Sequence, residues 1–158
     1  MKTAFIIIDV QNILVETGFE TQKLLEKISY LQDQARKQHI ETEEALTSED
    51  WKLSPLLKRQ SDEKVFQKRY NSIFKETGLK EYLDQQGIEK LVLCGMQTEY
   101  CVDTSVKVAF EHGYKLVVPE GTVTTFDGDD IPAETINDFY ENIWDERFAD
   151  VLDYKTIF

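Results

Sequence analysis

Three short apolar runs constrain the fold of this chain more than any other feature of its sequence. Ala4 to Ile8, Leu91 to Cys94 and Leu116 to Val118 contain no charged or strongly polar residue. Both faces of each segment therefore suit burial, which is typical of strands in parallel sheets that helices cover on each side. The runs predict three central strands of an α/β sheet.

Segments with helical periodicity alternate with these runs along the chain. They lie at residues 21–38, 75–86, 98–112 and 132–145. Further short strands are predicted at Val65-Phe66 and near Val151. The alternation predicts a three-layer α/β/α fold with a mainly parallel, doubly wound sheet of five or six strands. A chain of 158 residues is typical of one domain, so we expect residues 1–158 to form a single unit.

The charge of the chain limits the partners that it can have. A formal net charge of -12 would repel nucleic-acid phosphates and anionic lipid surfaces, so neither is expected as a partner. The apolar run near the start ends at Asp9, too early for a secretory core or a membrane span. The two cysteines suggest no disulfide framework. We therefore expect a cytoplasmic protein that acts on a small molecule.

Three residues with reactive side chains follow the predicted strands. Asp9 follows the first strand, Lys68 follows Val65-Phe66, and Cys101 lies just past the Leu91 to Cys94 strand. Ligands of open parallel sheets bind at the carboxyl ends of the strands, so topology places all three residues on one edge. Their spacing alone does not show that they touch, and each also has an ordinary interpretation as a turn residue, a solvated charge or a small apolar side chain.

Cys101 fits its ordinary interpretation least well, whereas Cys94 belongs to a buried strand. If Thr98 caps the following helix, Cys101 is the third helical residue, close to unpaired N–H groups and the positive end of the helix dipole. That position predicts a thiol pKa below its usual value. The same N–H groups are suited to an oxyanion, Lys68 to stabilising a thiolate, and Asp9 to carrying protons.

Three sequence blocks resemble the isochorismatase-like cysteine hydrolases, a superfamily that includes nicotinamidases and N-carbamoylsarcosine amidohydrolases. They are Ile6 to Asn12 (IIIDVQN), Lys68 to Phe74 (KRYNSIF) and Cys94 to Val102 (CGMQTEYCV). The blocks occur in the family order, on strands and helices that were assigned without reference to the family. The similarity therefore extends over nearly the whole chain.

The resemblance implies a hydrolase that cleaves a C–N bond of a small amide or ureide through a thioester on Cys101. It makes Asp9 the general base and then acid, and Lys68 the group that holds both partners electrostatically. It further implies a non-proline cis peptide at Met96–Gln97, with the backbone N–H groups of Gln97 and Cys101 forming an oxyanion hole. The isochorismatase branch lacks the nucleophilic cysteine, so Cys101 favours C–N hydrolysis over vinyl-ether cleavage.

Substrate and metal sites are less sharply indicated than the catalytic residues. Leu14, Tyr70 and Tyr100, together with Gln97, are candidates for the pocket lining, although aromatic residues at such positions more often belong to a core or an interface. Nicotinamidases bind a metal through an Asp-x-His pair and a further His. The only histidines here are His39 and His112, outside any Asp-x-His pair, so neither a metal nor another cofactor is expected. His112 is instead expected to end a helix.

The acidic segment 41–52 (ETEEALTSEDWK) departs from the family pattern. Relatives place an apolar second strand there, and we expect it to be shortened or missing in this chain. A degenerate binding or assembly module is therefore an alternative to an amidohydrolase; a thiol redox protein is a weaker one, since Cys101 has no CxxC partner. Family members commonly associate, so a homo-oligomer is expected, with the neighbourhoods of Trp51 and Trp144 as candidate contact surfaces.

Overall fold

The computed structural model describes residues 1–46, 54–57 and 59–158, and places all of the strands found there in one sheet. The strands run β1 Thr3–Ile8, β2 Glu41–Leu46, β3 Val65–Gln67, β4 Lys90–Met96, β5 Lys115–Pro119, β6 Val123–Thr124 and β7 Asp150–Leu152. Their order is β3-β2-β1-β4-β5-β7, and β6 also pairs with β4. Every pairing between these strands is parallel, so the predicted parallel α/β sheet is confirmed.

Helices cover both faces of the sheet. They are α1 Asn12–Val15, α2 Thr21–Lys37, α3 Leu79–Gln85, α4 Asp103–Glu111, α5 Ala133–Trp144, a π-helical turn at Thr98–Val102 and a 3₁₀ turn at Tyr154–Thr156. The apolar side of α2 packs with Phe5 and Ile7 on one face. Side chains of α3, α4 and the end of α5 pack with Ile6 and Ile8 on the other. Successive side chains of β1 therefore pack into two cores, one on each side of the sheet.

The second strand of the sheet is present, and the prediction that it is shortened or missing is wrong. β2 pairs along five residues of β1 and three of β3, which brings the sheet to seven strands. The strand is buried although its sequence is acidic, since Glu43 and Glu44 are 1% and 0% exposed. The Glu43 carboxylate accepts hydrogen bonds from the Tyr82 hydroxyl at 2.7 Å and the Lys64 N–H at 2.6 Å.

Two further predictions have clear outcomes in this fold. Trp144 is buried, and its indole N–H donates to Asp103 Oδ1 at 2.9 Å. The Trp144 ring therefore belongs to the core, while the contact surface expected around it stays a prediction; Trp51 lies outside the described residues. His112 ends α4 as its C-cap residue, as predicted. In the described part of the chain, no helix has the length and apolar character that crossing a membrane requires.

Candidate active site

The carboxyl end of β2 holds the backbones of the residues on either side of it. The Ala45 carbonyl accepts a hydrogen bond from the Asp9 N–H, and the Leu46 carbonyl accepts one from the Lys68 N–H, both at 2.8 Å. Asp9 leaves β1 with φ 48°, in the left-handed region that aspartate adopts more readily than most residues. The strand expected to be missing is therefore the one that aligns Asp9 with Lys68.

Lys68 contacts both of the other predicted catalytic residues. Its ammonium nitrogen lies 2.8 Å from Asp9 Oδ2 and 3.2 Å from Cys101 Sγ, and it donates to the Tyr70 carbonyl at 3.0 Å. The contacts with Cys101 and Tyr70 are hydrogen bonds, and the contact with Asp9 is an ion pair. In the sheet, β3 and β1 lie two positions apart, a separation of roughly 10 Å. The long side chain of Lys68 spans this separation by passing over the end of β2. The side chains of Asp9 and Lys68 are each 1% exposed.

The backbone that leads to Cys101 passes very close to β1. Gly95, near the end of β4, has φ 128°, and a Cβ atom there would lie 2.0 Å from the Ile8 carbonyl oxygen. Only glycine allows this approach. The Met96–Gln97 peptide bond, one residue further on, is cis, as the family resemblance implies. Gln97, one of the two residues predicted to supply an oxyanion N–H, therefore lies directly before the turn that carries Cys101.

A π-helical turn at Thr98–Val102 presents Cys101. The Gln97 carbonyl accepts hydrogen bonds from the N–H groups of Tyr100 and Val102, at 3.2 and 3.1 Å. Gln97 is the N-cap residue, so the prediction that Thr98 caps the helix is wrong and Cys101 is the fourth residue of the turn rather than the third. The Thr98 hydroxyl is used elsewhere, because it donates to Asn137 Oδ1 at 2.6 Å.

The environment of Cys101 keeps its thiol protonated at neutral pH. Burial and the negative charge of Asp9 raise the pKa of the thiol to about 11, and the positive charge of Lys68 opposes them only in part. The prediction of a lowered thiol pKa is therefore wrong, since it considered the helix terminus without the adjacent carboxylate and the loss of water. The thiol lies within hydrogen-bonding reach of Asp9, which is thus positioned to accept its proton.

The residues predicted to line a pocket differ in their exposure. Tyr70 and Tyr100 are 41% and 53% exposed, and the Tyr70 backbone already contacts Lys68. Leu14 is partly buried against the core on the α2 face. Among the described residues, no group of three or more His, Cys, Asp or Glu side chains is arranged to hold a metal ion.

Two residues near the centre were not predicted from the sequence to belong to the site. Asn71 Oδ1 lies 3.9 Å from Cys101 Sγ, and Ser105 hydrogen-bonds to the backbone of the loop that follows Lys68. Ser105 stands four residues after Cys101, a spacing that puts two side chains on the same side of a helix, so this signal was available. Nothing in the sequence distinguishes Asn71 from an ordinary loop residue.

Comparison with known proteins agrees with this geometry. Residues 3–155 match the family model described as the Isochorismatase domain. The chain belongs to the isochorismatase family. Within that family it is similar to the crystal structure of an isochorismatase from Pseudomonas putida KT2440, with 26% sequence identity and a TM-score of 0.91. That alignment covers 99% of this chain and 90% of the other.

Curated relatives include two named hydrolases. A streptothricin hydrolase of Streptomyces noursei is 29% identical over 144 residues, which cover 82% of this chain and 51% of the relative. A maleamate amidohydrolase of Pseudomonas putida is 37% identical over 59 residues, which cover 37% of this chain and 28% of the relative. The chain spans about half the length of the first relative that it matches.

Proposed function

We propose that this chain is a cysteine amidohydrolase that cleaves the C–N bond of a small amide or ureide, with residues 1–158 acting as one hydrolase domain. The contact of a single buried ammonium group with both Asp9 Oδ2 and Cys101 Sγ carries this proposal. The name of the related maleamate amidohydrolase supports an amide as the class of substrate.

In the first half of the proposed reaction, Cys101 attacks the amide carbonyl as its proton leaves. Because the thiol is protonated at rest, the attack forms the S–C bond while the thiol proton passes to the Asp9 carboxylate. The carbonyl oxygen becomes an oxyanion, which the backbone N–H groups of Gln97 and Cys101 stabilise. Lys68 remains an ammonium group throughout and offsets the negative charge on sulfur.

In the second half, the tetrahedral intermediate collapses and the thioester is hydrolysed. Asp9 returns its proton to the departing nitrogen as the C–N bond breaks, which releases ammonia or an amine and leaves an acyl group on Cys101. A water molecule then attacks the thioester and gives one proton to Asp9. Asp9 passes that proton to the departing sulfur, which restores the thiol and releases the carboxylic acid.

The alternative of a degenerate binding or assembly module loses the observation that motivated it. That observation was the expected shortening or loss of the second strand of the sheet. Instead, β2 is in place and Lys68 contacts Asp9 and Cys101 directly. The weaker redox alternative gains no support, since Cys94 is fully buried in β4.

Ammonia release from a panel of small amides and ureides, maleamate among them, tests the proposal. We expect the wild-type protein to hydrolyse at least one compound and Cys101→Ala to hydrolyse none while keeping its fold by circular dichroism. Cys94→Ala, which removes the other thiol from a buried strand, should retain the activity. Turnover that persists in Cys101→Ala, or no turnover of any compound by the wild type, would contradict the proposal.

A homo-oligomer is also proposed, on the basis of family membership. Several large apolar side chains are exposed on this chain, among them Ile13, Phe110, Ile131 and Phe139. Size-exclusion chromatography with light scattering should give a mass of at least twice that of the 18.4 kDa chain. A monomer at micromolar concentration would contradict this expectation.

A further inference from the structure

The position of Lys68 needs an explanation beyond the strand that precedes it. β3 contains only three residues and, among the strands that the structure describes, lies at the edge of the sheet and pairs with β2 alone. An edge strand of this length holds the backbone of Lys68 but gives little restraint to the loop that follows. Yet the Tyr70 carbonyl in that loop is one of the three acceptors of the Lys68 ammonium group.

Ser105 fastens this loop to the helix that carries Cys101. The Ser105 hydroxyl accepts a hydrogen bond from the Ile73 N–H at 3.2 Å and donates one to the Asn71 carbonyl at 3.4 Å. Ser105 and Ile73 are both fully buried, so water does not compete for the bond between them. One hydroxyl thus ties two points of the loop to α4.

These contacts form a closed ring around the reacting sulfur. From Cys101 the ring runs one helical turn to Ser105, across a hydrogen bond to the Asn71 carbonyl, and along the backbone to Tyr70. The Tyr70 carbonyl accepts from Lys68 Nζ, which returns to Cys101 Sγ at 3.2 Å. A ring fixes the distance between its members more tightly than a single chain of contacts does. The ammonium group is therefore held against the thiol from the side of the loop as well as from β2.

We infer that Ser105 is a positioning residue, which acts through the loop after Lys68 to hold the ammonium group of that lysine against the sulfur of Cys101. The inference deepens the proposed function, because a misplaced ammonium group would no longer stabilise the thiolate form. Ser105 itself touches neither the sulfur nor Asp9 through any contact described above.

The rate at which iodoacetamide alkylates Cys101 tests this role without any substrate. Between pH 8 and pH 9 the rate follows the small thiolate fraction, and mass spectrometry of the Cys101 peptide separates it from Cys94. We expect Ser105→Ala to lower the rate by about threefold to tenfold, equivalent to a rise of roughly half a unit to one unit in the thiol pKa. A merely looser loop would admit the reagent more easily and raise the rate, so the sign distinguishes the two roles.

Ser72→Ala is the matched control. Ser72 is another buried serine, and its hydroxyl accepts a hydrogen bond from the Phe74 N–H within the same loop, without reaching α4. It should alkylate at the wild-type rate. Ser105→Thr keeps the hydroxyl and should do the same; a fall there as large as in Ser105→Ala would overturn the role given to the hydroxyl.

A double-mutant cycle with Lys68→Met decides whether Ser105 acts through the lysine. In that background, where no ammonium group is left to position, Ser105→Ala should change the alkylation rate by less than about twofold, within the usual scatter of additive sites. An equal fall in both backgrounds, or an unchanged or faster rate in Ser105→Ala alone, would overturn the inference. The cycle needs no turnover, so a failure of the amidohydrolase proposal would appear separately, as a wild-type protein that releases no ammonia.

Discussion

Asp9 and Glu44 lie on neighbouring strands and both have buried carboxyl groups, but within the described ranges only one of these groups has a cation in contact with it. Asp9, at the end of β1, is 1% exposed and has the Lys68 ammonium nitrogen 2.8 Å away. Glu44, within β2, is 0% exposed, and neither of its carboxyl oxygens has a hydrogen-bond partner among the described residues. Burial raises the pKa of Glu44 to about 8, and the charges of Arg59 and Arg36 oppose this only in part.

The difference lies in the cation beside Asp9, because both carboxyl groups are buried. Without a cation in contact, a buried carboxyl group is more stable protonated, and at neutral pH most Glu44 carboxyls carry a proton. Asp9 has the ammonium group that a proton acceptor in such a place requires. Glu43 is an intermediate case, because burial raises its pKa while hydrogen bonds from Tyr82 and the Lys64 N–H oppose the rise.

Lys68→Met should remove this difference and have the largest effect. It leaves Asp9 buried without its cation, so we expect unfolding free energy to fall by about 3 kcal/mol, the usual cost of breaking a buried ion pair. Amide hydrolysis should fall by at least about 100-fold, since proton transfer and thiolate stabilisation both suffer. Urea unfolding and ammonia release measure the two effects.

Lys64→Met is the control for Lys68→Met. Lys64 is exposed and its ammonium nitrogen lies 3.8 Å from the centroid of the Tyr82 ring, a contact worth about 0.5 kcal/mol at an exposed site. It should leave hydrolysis unchanged. If Lys68→Met were no less stable than Lys64→Met, the Asp9–Lys68 pair would not contribute to stability as described.

Glu44→Gln should stabilise the protein, and increasingly so as the pH rises. The pKa of Glu44 is about 8 in the folded state and near 4.5 when unfolded, so folding favours the protonated form. Its stability contribution is complete below pH 4.5 and is lost as the pH rises towards 8. The variant should therefore match the wild type near pH 4.5 and exceed it at pH 8 by about 2 to 3 kcal/mol, less than the full linkage value because the new amide also needs partners.

Denaturant unfolding at both pH values measures this effect, with Glu89→Gln as the control. Glu89 is exposed, and its variant should differ from the wild type by less than about 0.5 kcal/mol at either pH. A Glu44→Gln protein that is less stable than the wild type at pH 8 would show that Glu44 is charged and satisfied in the folded state, contrary to the comparison with Asp9.

Tyr82→Phe should have the smallest effect of the three. It removes the hydroxyl that donates to Glu43 at 2.7 Å, and the expected loss is about 1 kcal/mol of unfolding free energy. Tyr114→Phe is matched, because the Tyr114 hydroxyl donates to the exposed Asp84 in a long contact of 3.5 Å, and its loss should cost less than about 0.5 kcal/mol. Equal losses in the two variants would mean that Glu43 does not depend on Tyr82.

The sequence predicted the parts of the fold in which burial and apolar character coincide. β1, β4 and β5 are apolar runs and were found for that reason, whereas β2 was missed because its buried residues include Glu43 and Glu44. Glutamate is rarely buried, so a sequence pattern gives such a strand no weight. The tertiary partners of Glu43, Tyr82 among them, and the raised pKa of Glu44 explain how the strand is accommodated.

In the candidate site, too, the local sequence pattern predicts where residues lie but not the protonation state of the thiol. Strand ends predicted that Asp9, Lys68 and Cys101 lie at one edge of the sheet, and Lys68 does contact the other two residues there. The state of the Cys101 thiol could not be read in this way, since it depends on the charge and burial that three distant segments create together. Ser105 was missed for a related reason, because its partners lie more than 30 residues earlier in the chain.

Asp9→Asn tests most directly the central claim that Cys101 is a protonated nucleophile served by Asp9. Removing the negative charge leaves Lys68 beside the sulfur, so the thiol pKa should fall and alkylation of Cys101 at pH 8 should accelerate by about tenfold. Amide hydrolysis should meanwhile fall by at least about 100-fold, because the proton acceptor is gone. Asp62→Asn, at an exposed position, should change neither rate. Opposite changes in the two rates are predicted; alkylation that slows together with hydrolysis in Asp9→Asn would contradict the account.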